Sequence, residues 1–278
     1  MVYTPEVVSA RGGKQEVESG IAAAIRDLRA PGFNITLAAL FHAAAQPDNL
    51  LYLVYRGSST PQVLYVETPD PTVFAQLETT YLPGAYRLDP YFDLHLARSP
   101  RGAYRLSDIA PDAFQRSRYF REYYERTTLL DEVVFMCALP EDVTVTLCLG
   151  RDAQSGRRFS AQELAACQRL APVIFALAEK QWHDLSGAVV TSEDTVDLLI
   201  RATRARHGIS LTARQAEVAT LILRGHSSVS IGLRLGLSPK TVKVFRRQLY
   251  ARCGLCSQAE LFALMMPILK HHPTGLAD

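Results

Sequence analysis

The sequence predicts an α+β chain: an antiparallel sheet flanked by helices, followed by an all-α module of four short helices. Three observations carry that reading. Two pairs of β-rich runs each fold about a turn signal: residues 50–56 with 61–67 about GSST, and 132–139 with 143–149 about Pro140, Glu141 and Asp142. A long helical stretch follows, starting at Ser160 with Glu163 completing a capping box and ending near Trp182. The last quarter repeats the start and stop signals of short helices, and it holds the excess of positive charge.

The elements follow in order. Residues 18–28 read as a helix, and the nearly apolar run 35–45, which carries His42, is too short to span a bilayer. Residues 72–81 read as helical, with Pro83 and Gly84 as punctuation, and 111–126 as one helix carrying Phe114, Tyr119, Phe120, Tyr123 and Tyr124. The order helix, hairpin, helices, hairpin, long helix resembles GAF or PAS-like sensor domains.

At 278 residues the chain has room for two domains, and 48% hydrophobic residues suit a buried core. We expect a sensor and dimerisation domain over 1–185. A helical linker over 186–208, with Val196, Leu199 and Ile200 on one face, leads to a helical domain over 209–278. The N-terminus lacks an apolar signal core, which predicts a cytoplasmic protein with no membrane partner. Five cysteines in a chain of this length do not form a disulfide framework. Net charge is +2, yet residues 201–252 hold eleven Arg/Lys and one acid, Glu217, so that segment carries +10 and the rest −8. Such a split predicts a polyanionic partner for the basic part.

Within that part, Thr212 with Gln215 caps a first helix that packs Val218, Leu221 and Ile222 inward and stops at Gly225. A second helix over about 228–235 ends at Gly236. A third starts at Ser238 and Pro239 and runs to about Arg252, with Gly254 beyond it. A fourth starts at Ser257, with Glu260 three residues on and Pro267 to kink or end it. In the third helix Val242, Phe245 and Leu249 share an inward face, while Lys240, Lys243, Val244 and Arg247 share another. Three cations and one apolar group on a helix face suit phosphates, guanine edges and a thymine methyl in a DNA major groove.

The runs LTARQAEV from Leu211, LGLSPKTVKV from Leu235 and SQAEL from Ser257 are similar to the LuxR-type helix-turn-helix. The resemblance covers about the last quarter of the chain and implies a transcriptional regulator on double-stranded DNA. It implies base reading by Lys243, Val244 and Arg247, and phosphate or neighbouring contacts from Lys240, Thr241, Arg246 and Gln248. It also implies dimerisation through Leu261, Leu264 and Met265, with RNA polymerase a further partner. Two departures stand out: Ser228, Val229 and Ser230 replace the family's polar triplet, and Phe245 replaces its usual histidine.

For the N-terminal part the expectation is a pocket for a small-molecule effector, lined by Asp89, Tyr91, Phe92, Tyr104, Tyr119, Phe120, Tyr123, Phe135 and Cys137. Alternatively these rings fill a core, and Asp89 caps a helix that starts at Pro90; the domain then only dimerises or binds a protein. Tyr86, Asp89 and Pro90 resemble the Tyr…Asp–Pro element of acyl-homoserine-lactone receptors, whose tryptophans are missing here; the only Trp is Trp182. Cys253 and Cys256 have the spacing of half a zinc site, with His271 and His272 downstream, but no second cysteine pair follows, and all five thiols read as buried and inert. His42 and His95 as haem ligands and an enzymatic role are the weaker alternatives. No catalytic constellation can be placed, so no cofactor and no enzyme activity are expected.

Overall fold

The computed structural model describes residues 6–185 and 193–270, with side chains from Gln15 onward. Thr191, Ser192, His271 and His272 lie outside those residues. Two helices, α1 (Glu6–Arg26) and α2 (Phe33–Ala45), precede the hairpin β1 (Asn49–Arg56) and β2 (Gln62–Glu67). A 3-10 turn at Pro71–Phe74 and a π turn at Leu77–Tyr81 lead to α3 (Pro90–Leu96), the short strand β3 (Gly102–Arg105) and α4 (Leu106–Ile109). Next come α5 (Arg118–Glu122), the hairpin β4 (Leu129–Leu139) and β5 (Val143–Asp152), and α6 (Ala161–Gln181). The C-terminal part is α7 (Thr195–His207), α8 (Ala213–Leu223), α9 (Ser228–Leu235), α10 (Pro239–Cys253) and α11 (Gln258–Leu269).

The strands form one antiparallel sheet in the order β2-β1-β5-β4-β3. Its two faces follow from the alternation of side chains along each strand. Leu50, Tyr52, Val54, Val133, Phe135, Cys137, Val145 and Leu147 share one face, where Phe41 of α2 and Cys167, Leu170 and Ile174 of α6 complete the core. The opposite face presents Leu51, Leu53, Tyr55, Val134, Met136 and Cys148 to Phe92 and Tyr91 of α3 and to Leu77, Tyr81 and Tyr86. Helical segments thus cover both faces. The β4–β5 turn places Glu141 and Asp142 at φ 59° and 55°, the geometry of a tight hairpin. Ser160 and Glu163 form the expected capping box on α6.

Residues 111–126 are not one helix. The chain makes 3-10 turns at Phe114–Arg116 and Tyr124–Arg126 around the single-turn α5, which Ser117 starts by accepting a hydrogen bond from the Phe120 N–H. A straight helix would spread these aromatics over more than half of its circumference. The breaks let Phe114, Tyr119 and Tyr124 all become buried. The run 72–81 is interrupted likewise, and its π turn brings Tyr81 to within 5.3 Å of the Tyr123 ring.

The C-terminal helices begin and end on the residues that the sequence marks. Thr212 and Gln215 form a capping box on α8, Ser227, Ser238 and Ser257 cap the next three, and Gly236 and Gly254 close α9 and α10 in the left-handed conformation. Pro267 does not end α11, which continues to Leu269. The helix expected within the linker packs against α11. Leu198, Leu199 and Ala202 of α7 are buried with Leu261 and Met265 of α11 in one core.

That core continues into the N-terminal part. Ala85, Leu88, Phe114, Tyr119 and Tyr124 belong to the same buried cluster as the C-terminal helices. Gly225 sits at φ 92°, and a Cβ there would lie 2.7 Å from the Phe114 Cα. A Cβ at Gly84 would lie 2.2 Å from the Leu269 carbonyl oxygen. Both glycines allow backbone to meet backbone across the junction.

Candidate nucleic-acid interface and sensor cavity

On α10, Val242 and Leu249 are fully buried and Phe245 is half-buried against the same core. Lys240, Lys243, Val244, Arg247 and Gln248 are exposed. Val244 keeps 37% of its surface, a methyl-bearing group between cations. Thr241 and Arg246 are half-buried at the edge of this face. The Ser238 hydroxyl accepts from the Thr241 N–H at 3.0 Å, and an Arg246 guanidinium N–H reaches the Ser228 hydroxyl at 3.5 Å, tying α10 to α9. Among the described residues no carboxylate pairs with Lys240, Lys243 or Arg247. Lys240, Lys243, Val244 and Arg247 therefore share one exposed face of α10, with Thr241 and Arg246 at its edges, and its three cations have no carboxylate partner among the described residues. Of the three positions expected to pair two copies, Leu261 and Met265 are fully buried within the chain, and only Leu264 keeps part of its surface.

The second site is a cavity of about 40 Å³ on the α3 side of the sheet. Of the expected lining, Asp89, Tyr91 and Tyr123 reach it. Tyr119 stands behind Tyr123, stacked at 5.7 Å. Phe92 is sealed against Tyr55 and Tyr86, and the Tyr104 hydroxyl turns away to donate to the Pro100 carbonyl. Phe120 lies outside the lining, stacked on Tyr124. Phe135 and Cys137 are on the other face of the sheet, where Phe135 packs against Phe41. The one-residue alternation of β4 sends Glu132 to the cavity side and Phe135 away. Glu132, Cys148, Tyr55, Tyr81 and Tyr124 are among the lining residues that the sequence reading missed. The alternation was the available signal: Val133, Phe135 and Cys137 share one parity, Glu132 the other.

Asp89 does two jobs. One carboxylate oxygen accepts from the Tyr91 N–H at 2.8 Å and caps α3. The other receives long hydrogen bonds from the Tyr119 and Tyr124 hydroxyls, at 3.5 and 3.4 Å. Burial raises its pKa to about 6, against the lowering effect of these donors. Glu132 is pushed further, to about 8, by burial and then by the charges of Asp89 and Asp131. Burial also raises the hydroxyls of Tyr81, Tyr119, Tyr123 and Tyr124, which remain neutral donors.

One turn beyond Asp89, α3 meets the C-terminal helices. Asp93 accepts from Arg224 at 2.6 Å and pairs with Arg234 at 3.1 Å. The Arg224 Nε donates to the Arg87 carbonyl at 3.2 Å. Two further bonds flank this pair: the Ala113 N–H to the Gly225 carbonyl at 3.0 Å, and the Ser227 N–H to Asp112 at 2.9 Å. The cavity and the helix-turn-helix are thus joined through one seven-residue helix.

The remaining titratable candidates have ordinary places. His95 is buried between the Thr144 hydroxyl and the Gly57 carbonyl, and His42 pairs with Glu67 at 2.5 Å. Cys256 is exposed and Cys148 and Cys253 are half-buried, so the buried-thiol expectation holds for Cys137 and Cys167 alone. A glycine-ended turn after α10 brings Cys256 to the surface. No described helix is long and apolar enough to cross a membrane.

Residues 209–265 match the bacterial regulatory proteins of the luxR family. Over 67% of the chain and 97% of the relative, the sequence is 29% identical to a protein of Aeromonas salmonicida that carries the name of an HTH-type transcriptional regulator in the exeN 3' region. The N-terminal part superposes on the LBD domain of VqsR from Pseudomonas aeruginosa, with TM-score 0.50 and 26% identity, covering 60% of this chain and 96% of that one. Fold, exposed basic helix and matches together define a helix-turn-helix transcriptional regulator. Its residues 209–265 match the luxR family, and its N-terminal part has the fold of the VqsR LBD domain.

Proposed function

We propose that this regulator reads duplex DNA with Lys243, Val244 and Arg247. Lys240, Thr241 and Arg246 hold phosphates, and a small molecule in the Asp89 cavity controls the reading. It works in the cytoplasm without chemical turnover. The folded units meet at the α3–α8 junction rather than across a flexible linker. Two copies bind the two halves of an operator, which lie about one helical turn apart, because one recognition helix covers only a few base pairs. RNA polymerase is the downstream partner.

The observation that carries ligand control is the double use of α3. Asp89 opens it at the cavity, and Asp93, four residues on, holds Arg224 of the DNA-binding part. A molecule that draws Asp89 or the Tyr119 and Tyr124 hydroxyls toward itself disturbs the start of α3 and the shared aromatic core at once. The effect is a population shift between docked and released helix-turn-helix, and its size is set by the ligand's difference in affinity for the two states.

The test has two arms. A melting-shift screen on the full chain finds stabilising small molecules, and the affinity for an operator selected from random duplexes is then measured with and without them. A hit that changes operator affinity, and loses that effect in Asp93→Ala, supports the proposal. Hits that stabilise the chain without changing operator affinity would reduce the N-terminal part to a ligand store.

A further inference from the structure

Buried and half-buried acids elsewhere among the described residues are matched. Asp131 takes two hydrogen bonds from Arg105 at 2.9 and 2.7 Å and a third from the Phe159 N–H. Asp48 and Glu163 share Arg151, and Asp152 accepts from the Asn49 side chain and the Gln154 N–H. Glu132 breaks the pattern. Among the described residues no hydrogen bond or ion pair reaches its carboxylate, and its neighbours add only the negative charges of Asp89 and Asp131. It is half-buried and lines the cavity. Asp89 lines the same cavity, and no Lys, Arg or His does. Asp131 cannot lend a cation, since its arginine is already engaged in both directions.

The rest of the lining is aromatic. Tyr123 stacks on Tyr81 at 5.3 Å, and Tyr55, Tyr91 and Tyr124 complete the walls. Ring faces attract a cation, and two carboxylates attract it more strongly. A protonated amine has three N–H donors and no acceptor. Those donors match a Glu132 carboxylate that no described donor reaches, while Asp89, already accepting from the Tyr91 N–H and from tyrosine hydroxyls, adds its charge. In the free cavity burial keeps the proton on Glu132; an entering ammonium compensates the carboxylate and lets that proton go, whereas a neutral ligand leaves Glu132 protonated.

We propose that the cavity is an amine site, taking the ammonium group of a small organic cation between Glu132 and Asp89 with its carbon body against the Tyr81 and Tyr123 rings. The inference rests on the sensor reading above and names its ligand class. The cavity volume admits only a few heavy atoms side by side, which selects a short primary amine over a long acyl chain.

The experiment compares n-butylammonium chloride with 1-butanol, and with sodium chloride at matched ionic strength, on the full chain by thermal melting and titration calorimetry. Variants are Glu132→Gln, which keeps the side-chain shape, and Asp89→Asn, which keeps a competent helix cap. The expected result is a melting temperature that rises with butylammonium but not with butanol or salt, and a Kd at least about tenfold weaker in Glu132→Gln, since one lost charge-assisted bond is worth that factor or more. Equal stabilisation by butanol, unchanged in Glu132→Gln, would overturn the amine class and leave the sensor reading standing. Binding of neither compound would also overturn the amine site, and the sensor reading would then stand or fall by its own small-molecule screen.

Discussion

Replacing Asp93 by alanine should uncouple the DNA-binding helices from the sheet domain. Arg224 keeps only 10% of its side chain exposed, and Asp93 is its carboxylate partner at 2.6 Å. Burial already pulls the Arg224 pKa down, and the charge of Asp93 is the largest opposing influence. Without that carboxylate the guanidinium stays charged, buried and short of an acceptor, which costs about 3–5 kcal/mol. The Arg234 contact adds little, because that side chain is half exposed and screened by water. In a chain of this size about 3 kcal/mol lowers the melting temperature by roughly 6–12 °C. The companion variant Arg224→Met removes the charge as well, so the double variant Asp93→Ala, Arg224→Met should recover most of the loss. Urea unfolding of the wild type, both single variants and the double variant yields the coupling energy directly. A coupling below about 1 kcal/mol, or a double variant as unstable as Asp93→Ala, would refute the claim that this pair holds the junction.

Other outcomes follow from the same geometry. Lys243→Ala and Arg247→Ala should abolish discrimination between a selected operator and random DNA while leaving the melting temperature nearly unchanged, because both side chains are exposed and unpaired; melting curves and competition binding check the two halves of that statement. Phe245→Ala should destabilise the module by about 3 kcal/mol, the low end for a core aromatic, since the ring is only half-buried; urea melts measure it. The contribution of Glu132 to the stability of the free protein should fall as pH rises, most visibly above about pH 6.5, where the buried neutral His95 and His226 no longer act in the opposite sense. Glu132 binds its proton up to about pH 8 in the folded state but only to its ordinary 4.5 when unfolded, so the unfolded chain gives up protons first across that window. Asp89 acts in the same sense between 3.8 and about 6. The groups facing Glu132 do not offset this: Asp89 and Asp131 are acids, and Tyr91, Tyr123 and Cys148 stay neutral because burial raises them. Glu132→Gln should flatten the decline between pH 5 and 8, read as melting temperature against pH.

The C-terminal helices were legible because their signals are local. Ser238, Pro239 and Gly254 delimit α10 through their own backbone preferences, and a spacing of three and four residues separates Val242 and Leu249 from Lys243 and Arg247. The sheet was legible for a related reason: each hairpin carries its own turn residues. The cavity was only half legible. Asp89 and Tyr123 were reachable from the density of aromatics, but Phe135 and Glu132 lie three residues apart on a strand and face opposite ways, so naming the one ring and missing the acid was an error of parity. Strand β3 has four residues and no alternation to betray it, and its pairing with residues 133–136 is visible only in three dimensions. The junction was not legible at all. Arg224 and Asp93 are 131 positions apart, and each alone looks like a surface charge. Gly225 reads as a helix stop, which it is, but its close approach to Phe114 depends on the tertiary fold.

The central claim is that α10 reads DNA sequence through Lys243, Val244 and Arg247. Its most direct test is fluorescence anisotropy of the full chain on an operator selected from a random duplex pool, set against random duplex of equal length, over a salt series. The account predicts a steep loss of affinity with salt on both duplexes, as neutralised phosphates release counterions. It also predicts a preference for the operator that the double variant Lys243→Ala, Arg247→Ala removes. A preference that survives in the double variant would contradict it, and would place the sequence reading on another surface of the molecule.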